Sequence, residues 1–294
     1  MKNKIEYNIP FSEYRAIDAV NASSFSAIDP ERDGCPAIWN AQHNAPIEIE
    51  DSPALSFGRA FHKYVLEFET FDREFVTLTD EKKEELFNKA LALGSKAKGF
   101  SKSLTTYKDW KAEMDEGDME IIDPATIQTL GKMRDSVVNA MPPELIHDTE
   151  KKTEVSLCAE LHDHSGNPVF CKGRLDLVKP FSHIVDLKTV ASASPTALGR
   201  FIAKYKLYVQ AAFYVDLMSA NGYKDMEFAW CFVDKRAPYP VVYYPVCDDL
   251  LKLGRQEYRG YLGWIHTCRN SNHWPGHLPI VEFADWFNTL LEEI

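Results

Sequence analysis

The sequence predicts an α/β protein built on a central mixed β-sheet with helices on its faces. Three observations carry this. Helical stretches occur at several places between residues 51 and 140, alternation of period two begins at residue 153, and a long helical stretch separates the third strand from the fourth. With 294 residues, 45% hydrophobic and 12% aromatic, the chain can bury one large core. That composition excludes a disordered tail, a coiled coil and a collagen-like repeat. No internal repeat or low-complexity linker divides it, so a single domain 1–294 is expected.

Residues 1–50, rich in Asn, Ser, Pro and Ala, read as an irregular N-terminal segment with short helical pieces. The core is expected over 51–246. Its first helix starts at Asp51-Ser52-Pro53, a cap followed by proline at the first helical position, and its apolar stripe is Phe57, Phe61, Tyr64, Val65 and Phe68. A second helix covers about 80–93, residues 94–108 read as a loop, and another helix fills about 124–140. Val155, Leu157, Ala159 and Leu161 then alternate with polar partners, as in a half-buried strand. The turn HDHSGNP, whose His162-Asp163-His164 reads as solvated polar residues, leads to a strand at about 168–179. Pro180-Phe181-Ser182 leads to a third at 183–188. Ser194-Pro195 opens one long helical region ending near Gly222. Strands near 226–234 and 240–246 follow. Residues 247–294 are expected to add helices near 248–269 and 283–293, the last carrying Trp286, Phe287, Leu290, Leu291 and Ile294.

The strands GRLDLV (173–178) and HIVDLKT (183–189) carry the chemistry. Alternation puts Asp186 and Lys188 on one face of their strand. On the neighbouring strand Arg174 and Asp176 are expected to share a face, with Leu175 and Leu177 on the other. Asp176, Asp186 and Lys188 can then converge, with Glu154 at the start of the first strand as a further carboxylate. Acidic residues are depleted inside strands, so two on adjacent strands ask for a reason. Carboxylates with a lysine suit Mg²⁺, which prefers oxygen ligands and keeps several waters. The D-x-K triplet alone is uninformative, since Asp80-Glu81-Lys82 and Asp109-Trp110-Lys111 repeat it and about one such triplet is expected by chance. His62 on the first helix, and Gln210 and Tyr214 one turn apart on the long helix, are ordinary features when taken singly.

Taken together, Gly58-x-Ala60-x-His62, Gly173-Arg174-x-Asp176, Asp186-x-Lys188 and Gln210-x-x-x-Tyr214 resemble the RecB-like branch of the PD-(D/E)XK nuclease superfamily. The chain is most similar to the RecE-type, or exonuclease VIII, family of phage and prophage recombination. The likeness extends through NASSFSAIDPERDGCPAIWNAQHNAP, FGRAFHKYVLEF, YVQAAFYVDLM and the C-terminal RQEYRGYL and NHWP. It implies a PD-(D/E)XK core with helical additions. It implies that His62, Asp176 and Asp186 bind two Mg²⁺ ions, which Mn²⁺ can replace, with the Leu187 carbonyl assisting. Lys188 is then the catalytic lysine and Glu154 a carboxylate near the site. Gln210 and Tyr214 sit beside the scissile phosphate, and Arg59 contacts phosphate. Phe68 departs from the family's usual proline, which touches packing only.

The resemblance further implies a 5′ to 3′ exonuclease acting on linear double-stranded DNA and leaving 3′ overhangs. It implies a ring-shaped homo-oligomer, trimer or tetramer, working beside a single-strand annealing protein of the RecT or Beta type. The rival expectations are a RecB-like endonuclease or single-strand nuclease, and a DNA-binding recombination accessory with a vestigial site.

The formal net charge of −11 argues against a protein that coats nucleic acid. The charge is uneven, however: Lys89, Lys96, Lys98, Lys102 and Lys108 lie in a stretch with no acidic residue. Lys96, Lys98 and Lys102 are therefore candidate contacts to the DNA backbone. His273 and His277 offer only a weak second metal site. The N-terminus lacks the apolar run of a signal peptide, no stretch reaches the roughly 18 apolar residues of a membrane span, and the six cysteines are scattered. The sequence-based expectation is a cytoplasmic protein with reduced thiols.

Overall fold

The computed structural model describes residues 3–7, 9–44 and 52–277. Its centre is a six-stranded mixed sheet. The spatial order is β1 (Lys4–Glu6), β4 (Lys152–His162), β5 (Pro168–Lys179), β6 (His183–Val190), β7 (Glu227–Asp234) and β8 (Val241–Pro245). Short connections make β4, β5 and β6 an antiparallel meander. β6 and β7 pair in parallel, which requires a crossover; α8 (Pro195–Tyr205) and α9 (Leu207–Ala220) supply it. β1, which joins the sheet through β4, is a strand that the expected irregular segment 1–50 did not include. That segment also holds α1 (Phe11–Ala16) and α2 (Pro36–Asn44). The helix expected near 283–293 lies outside the described residues.

Each face of the sheet buries its own core. On one side α9 and α10 (Asp248–Ser271) enclose Trp39, Phe213, Trp230 and Tyr258. On the other, α3 (Pro53–Leu66) and α6 (Pro124–Ala140) enclose Phe61, Met133, Leu177, Val185 and Leu187. Helix starts follow their sequence signals: Ser52 accepts the Leu55 N–H, Ser194 accepts the Ala197 N–H, and proline follows each. The short α7 (Pro143–Ile146) leads into β4.

A third apolar cluster belongs to an excursion between α3 and α6. There the parallel pair β2 (Phe75–Thr77) and β3 (Glu120–Ile122) carries α4 (Asp80–Ala92) and α5 (Thr105–Glu116). Residues 105–108, expected in a loop, begin α5 instead. Tyr107 and Trp110 bury with Leu78, Leu86, Ala90 and Leu104, and this packing holds the helix.

The long helix expected from Pro195 to Gly222 is also two helices. It breaks at Lys206, whose backbone is left-handed (φ 47°). Lys206 Nζ meets Asp29 at 3.0 Å, Glu31 at 2.6 Å and Glu257 at 2.9 Å. Three carboxylates remote in sequence thus hold a backbone conformation that a lysine rarely adopts. A second buried lysine fastens the N-terminal segment: Lys172 Nζ donates to the carbonyls of Tyr14 (3.1 Å), Arg15 (3.1 Å) and Ile17 (2.6 Å) at the end of α1.

The HDHSGNP turn is more organised than a solvated hairpin. Asp163 is buried, and its carboxylate accepts the Ser165 and Asn167 N–H groups at 2.8 Å each. All six cysteines are free thiols, and no helix among the described residues is long and apolar enough to cross a membrane.

Candidate active site

The site grows from a fork in the sheet. β5 and β6 pair at Lys179–His183, Val178–Ile184 and Leu177–Val185, and there the ladder stops. The next pair in the same register would be Asp176 and Asp186. Instead the Asp176 carboxylate takes over as backbone partner, its Oδ2 accepting the Leu187 N–H at 2.7 Å. On the other side of β5 the ladder to β4 is also interrupted, because Glu154, opposite Asp176, adopts φ 49°. These breaks turn the chain. Leu175 packs in the α9-side core and Leu177 in the α3-side core, so the two leucines do not share a face as alternation predicts.

Groups from both sides of the sheet meet at this fork. From α3, His62 places Nδ1 3.5 Å from Asp176 Oδ1. His62, Glu154 and Asp176 each bring a ligand atom within 4.8 Å of the other two, and they form the only such metal-capable group among the described residues. Asp186 and Lys188 adjoin it with Nζ 2.7 Å from Oδ2. This contact lacks hydrogen-bond geometry, and Asp186 Oδ2 is otherwise an enclosed oxygen with no partner. From α9, Gln210 Nε2 donates to the Tyr214 hydroxyl at 3.2 Å. α9 comes this close because of Gly173: a Cβ there would lie 2.9 Å from Leu217 Cδ1 and 3.1 Å from Tyr214 Cε1.

The electrostatics follow from crowding charges where access to water is restricted. Burial opposes the charge on His62, but Asp176, with Glu154 and Asp186 behind it, raises its pKa to about 9. Burial likewise opposes the charge on Lys188, yet Asp186 and Asp176 push its pKa up. Burial and repulsion from Asp176 lift the Asp186 carboxyl above its ordinary range, against the pull of Lys188. Glu154 is raised by burial and by Asp176, despite its Arg174 partner. Asp176 alone goes down: burial opposes this, but His62, Lys188 and the Leu187 N–H outweigh it. Three carboxylates and an imidazole converging on one point supply the hard oxygen and nitrogen donors that suit a divalent cation.

Among the sequence candidates, Glu154, Asp176, Asp186, Lys188, His62, Gln210 and Tyr214 are thus assembled around the fork. The Leu187 backbone lies within it. Arg59 sits one turn before His62, with Nη2 2.8 Å from Glu120 Oε2. Lys96, Lys98 and Lys102 are exposed in the loop between α4 and α5, apart from the cluster. Arg174 is a residue that sequence reasoning left without a role. Its Nε donates to Glu154 Oε2 at 2.6 Å and its Nη1 to the Ile9 carbonyl at 3.0 Å, and its place beside Asp176 in G-R-x-D was the available signal. Ser23 and Arg32 were not singled out either; with Lys188, Gln210 and Tyr205 they line a cleft of about 340 Å³.

Comparison with known proteins completes the description. A family model described as a PDDEXK-like domain of unknown function matches residues 21–285. A solved structure from Eubacterium rectale, described as a "putative exonuclease", superposes with a TM-score of 0.61 at 15% identity, covering 94% of this chain and 90% of that one. This likeness shows a shared fold. The structure of SSO0001 aligns at a TM-score of 0.27 and 18% identity over 70% of this chain and 85% of its own, too distant to carry an argument. Comparison with curated protein sequences gives no match.

Proposed function

This chain belongs to the family of PDDEXK-like domains, and from that premise we propose that it is a divalent-metal-dependent DNA exonuclease of the exonuclease VIII type. The observation that carries the reading is the fork itself. It sets the half-buried Asp176 opposite the buried Asp186, puts Lys188 beside the second, and opens to His62 from one face and Gln210 and Tyr214 from the other.

In this reading His62, Asp176, Asp186 and the Leu187 carbonyl hold Mg²⁺, with Glu154 next to them. A bound divalent cation supplies an acidified water and stabilises charge developing on phosphorus. The protein's own groups then do the following. Asp176 keeps the Leu187 peptide fixed through its N–H, so that the carbonyl of the same residue stays oriented. Lys188 places a compact ammonium next to Asp186, where it offsets negative charge on a phosphodiester entering the cleft. Gln210 and Tyr214 present an amide and a hydroxyl to the same side.

The exonuclease VIII resemblance extends the proposal to 5′ to 3′ degradation of linear duplex DNA that leaves 3′ overhangs. It also extends it to a trimeric or tetrameric ring and to a single-strand annealing partner of the RecT or Beta type. The test offers end-labelled linear duplexes and closed circular DNA with Mg²⁺. Nucleotide release from 5′ ends alone is expected. Cleavage of the circle would replace the reading with an endonuclease, and no release from any DNA would leave a binding protein.

A further inference from the structure

The excursion carrying α4 and α5 plays no part in the site chemistry, yet its charge is singular. Residues 86–108 hold five lysines and no Asp, Glu or Arg. In a chain whose total is −11, this +5 segment leaves −16 for everything else. All five, Lys89, Lys96, Lys98, Lys102 and Lys108, are exposed, and none makes an ion pair with another described residue. The contrast lies on the same excursion. Lys82, Lys83 and Lys111 each pair within their own helix, with Glu85, Asp80 and Asp115. Lysines flanking the loop are neutralised locally, while those of the loop and its edges are left available.

The loop is also held in place. Phe100 and Ala97 pack against the cluster of Leu86, Leu104 and Tyr107, so the lysines project from an anchored backbone. The base of the excursion is tied to the helix that carries His62: Glu120 of β3 accepts from Ser56 and Arg59 of α3, the latter one turn before His62. A ligand gripped by the loop is therefore registered to the fork through one rigid helix.

We propose that the 94–104 loop, with Lys89 and Lys108 at its edges, is a clamp for the phosphate backbone of duplex DNA outside the cleavage site. The inference rests on DNA being the substrate, as proposed above. The chemistry is that of unpaired ammonium groups replacing counterions along a polyanion, with no base readout. On an otherwise acidic protein it concentrates positive charge on one anchored loop.

The test measures binding of a fluorescent 30-bp duplex to the full chain in EDTA across a salt series. The variants are Lys96→Gln/Lys98→Gln/Lys102→Gln and, as a control, Lys82→Gln/Lys83→Gln/Lys111→Gln. If all three loop lysines contact phosphates, the slope of log affinity against log salt shrinks by about 2.7 in the first variant. It stays at the wild-type value in the control. An unchanged slope in the loop variant, an equal change in the control, or an effect confined to single-stranded DNA overturns the clamp. Failure of the enzymatic reading looks different: the wild type then binds with a lysine-dependent slope but releases no nucleotide in Mg²⁺. Cleavage with a lysine-independent slope rejects the clamp alone.

Discussion

Asp176 Oδ2 accepts the Leu187 N–H at 2.7 Å, at the point where two paired strands part. The aspartate thus serves two needs at once: it satisfies a backbone donor and contributes negative charge beside His62. Asp176→Asn separates them. An asparagine can still accept from Leu187 through its amide oxygen, so the fork is kept and the melting temperature falls only by what the His62 pairing contributes, while divalent-ion affinity falls. Calorimetric Mn²⁺ titration is expected to show a loss exceeding the roughly 10–100-fold typical of an outer-shell partner. A variant that melts normally and binds Mn²⁺ as tightly as wild type would remove Asp176 from the metal set.

Lys188→Met keeps the length of the side chain and removes its charge. Turnover on linear duplex is expected to drop by roughly 10²–10³, the scale of losing one preorganised charged donor. DNA affinity should hardly change, because the lost interaction is stronger in the transition state than in the ground state. Parallel loss of binding and cleavage in a folded variant would contradict this.

The raised pKa of His62 has a definite sign. Its folded value of about 9 exceeds the ordinary value of 6.5. The stability it contributes is therefore complete below pH 6.5 and is lost as pH rises through 9. In chelator, wild-type melting temperature should decline across that window, and His62→Gln should flatten the decline. A cation competes with the proton for the imidazole, so Mn²⁺ binding at pH 7 should release a proton and tighten toward pH 9. Binding that is independent of pH would exclude His62 as a ligand.

Gly173→Ala tests the close approach of α9. The new Cβ would meet Leu217 Cδ1 at 2.9 Å and Tyr214 Cε1 at 3.1 Å, so those two side chains must give way. Urea unfolding should report a loss of about 1–3 kcal/mol, the usual cost of overpacking. Activity should fall further than stability alone explains, since the Tyr214 ring is displaced.

Much of this was legible in the sequence, for identifiable reasons. Strands 168–179 and 183–190 show alternation bounded by turn residues, and Ser-Pro marks two helix starts, so the elements carrying Asp176, Asp186 and Lys188 could be read directly. What escaped were features set by contacts remote in sequence. Nothing near Lys206 signals a helix break, because Asp29, Glu31 and Glu257 impose it. The fork was hidden because simple alternation assumes unbroken ladders, whereas β5 parts from β6 at Asp176 and the left-handed Glu154 interrupts the ladder on the other side. α5 was missed although Tyr107, Trp110 and Met114 have helical spacing; the lysine-rich run before them drew the reading toward loop.

Lys172 binds three carbonyls at the end of α1, a helix of six residues. A helix that short does not persist by itself in water, and its anchoring ammonium arrives some 155 residues later in the chain. This segment precedes β5 in the chain yet gains its anchor only once β5 exists. The same holds for the Ile9 carbonyl that steadies Arg174 and, through it, Glu154. Completion of the candidate site is tied to completion of the sheet, so a chain that stops before β5 lacks a finished site.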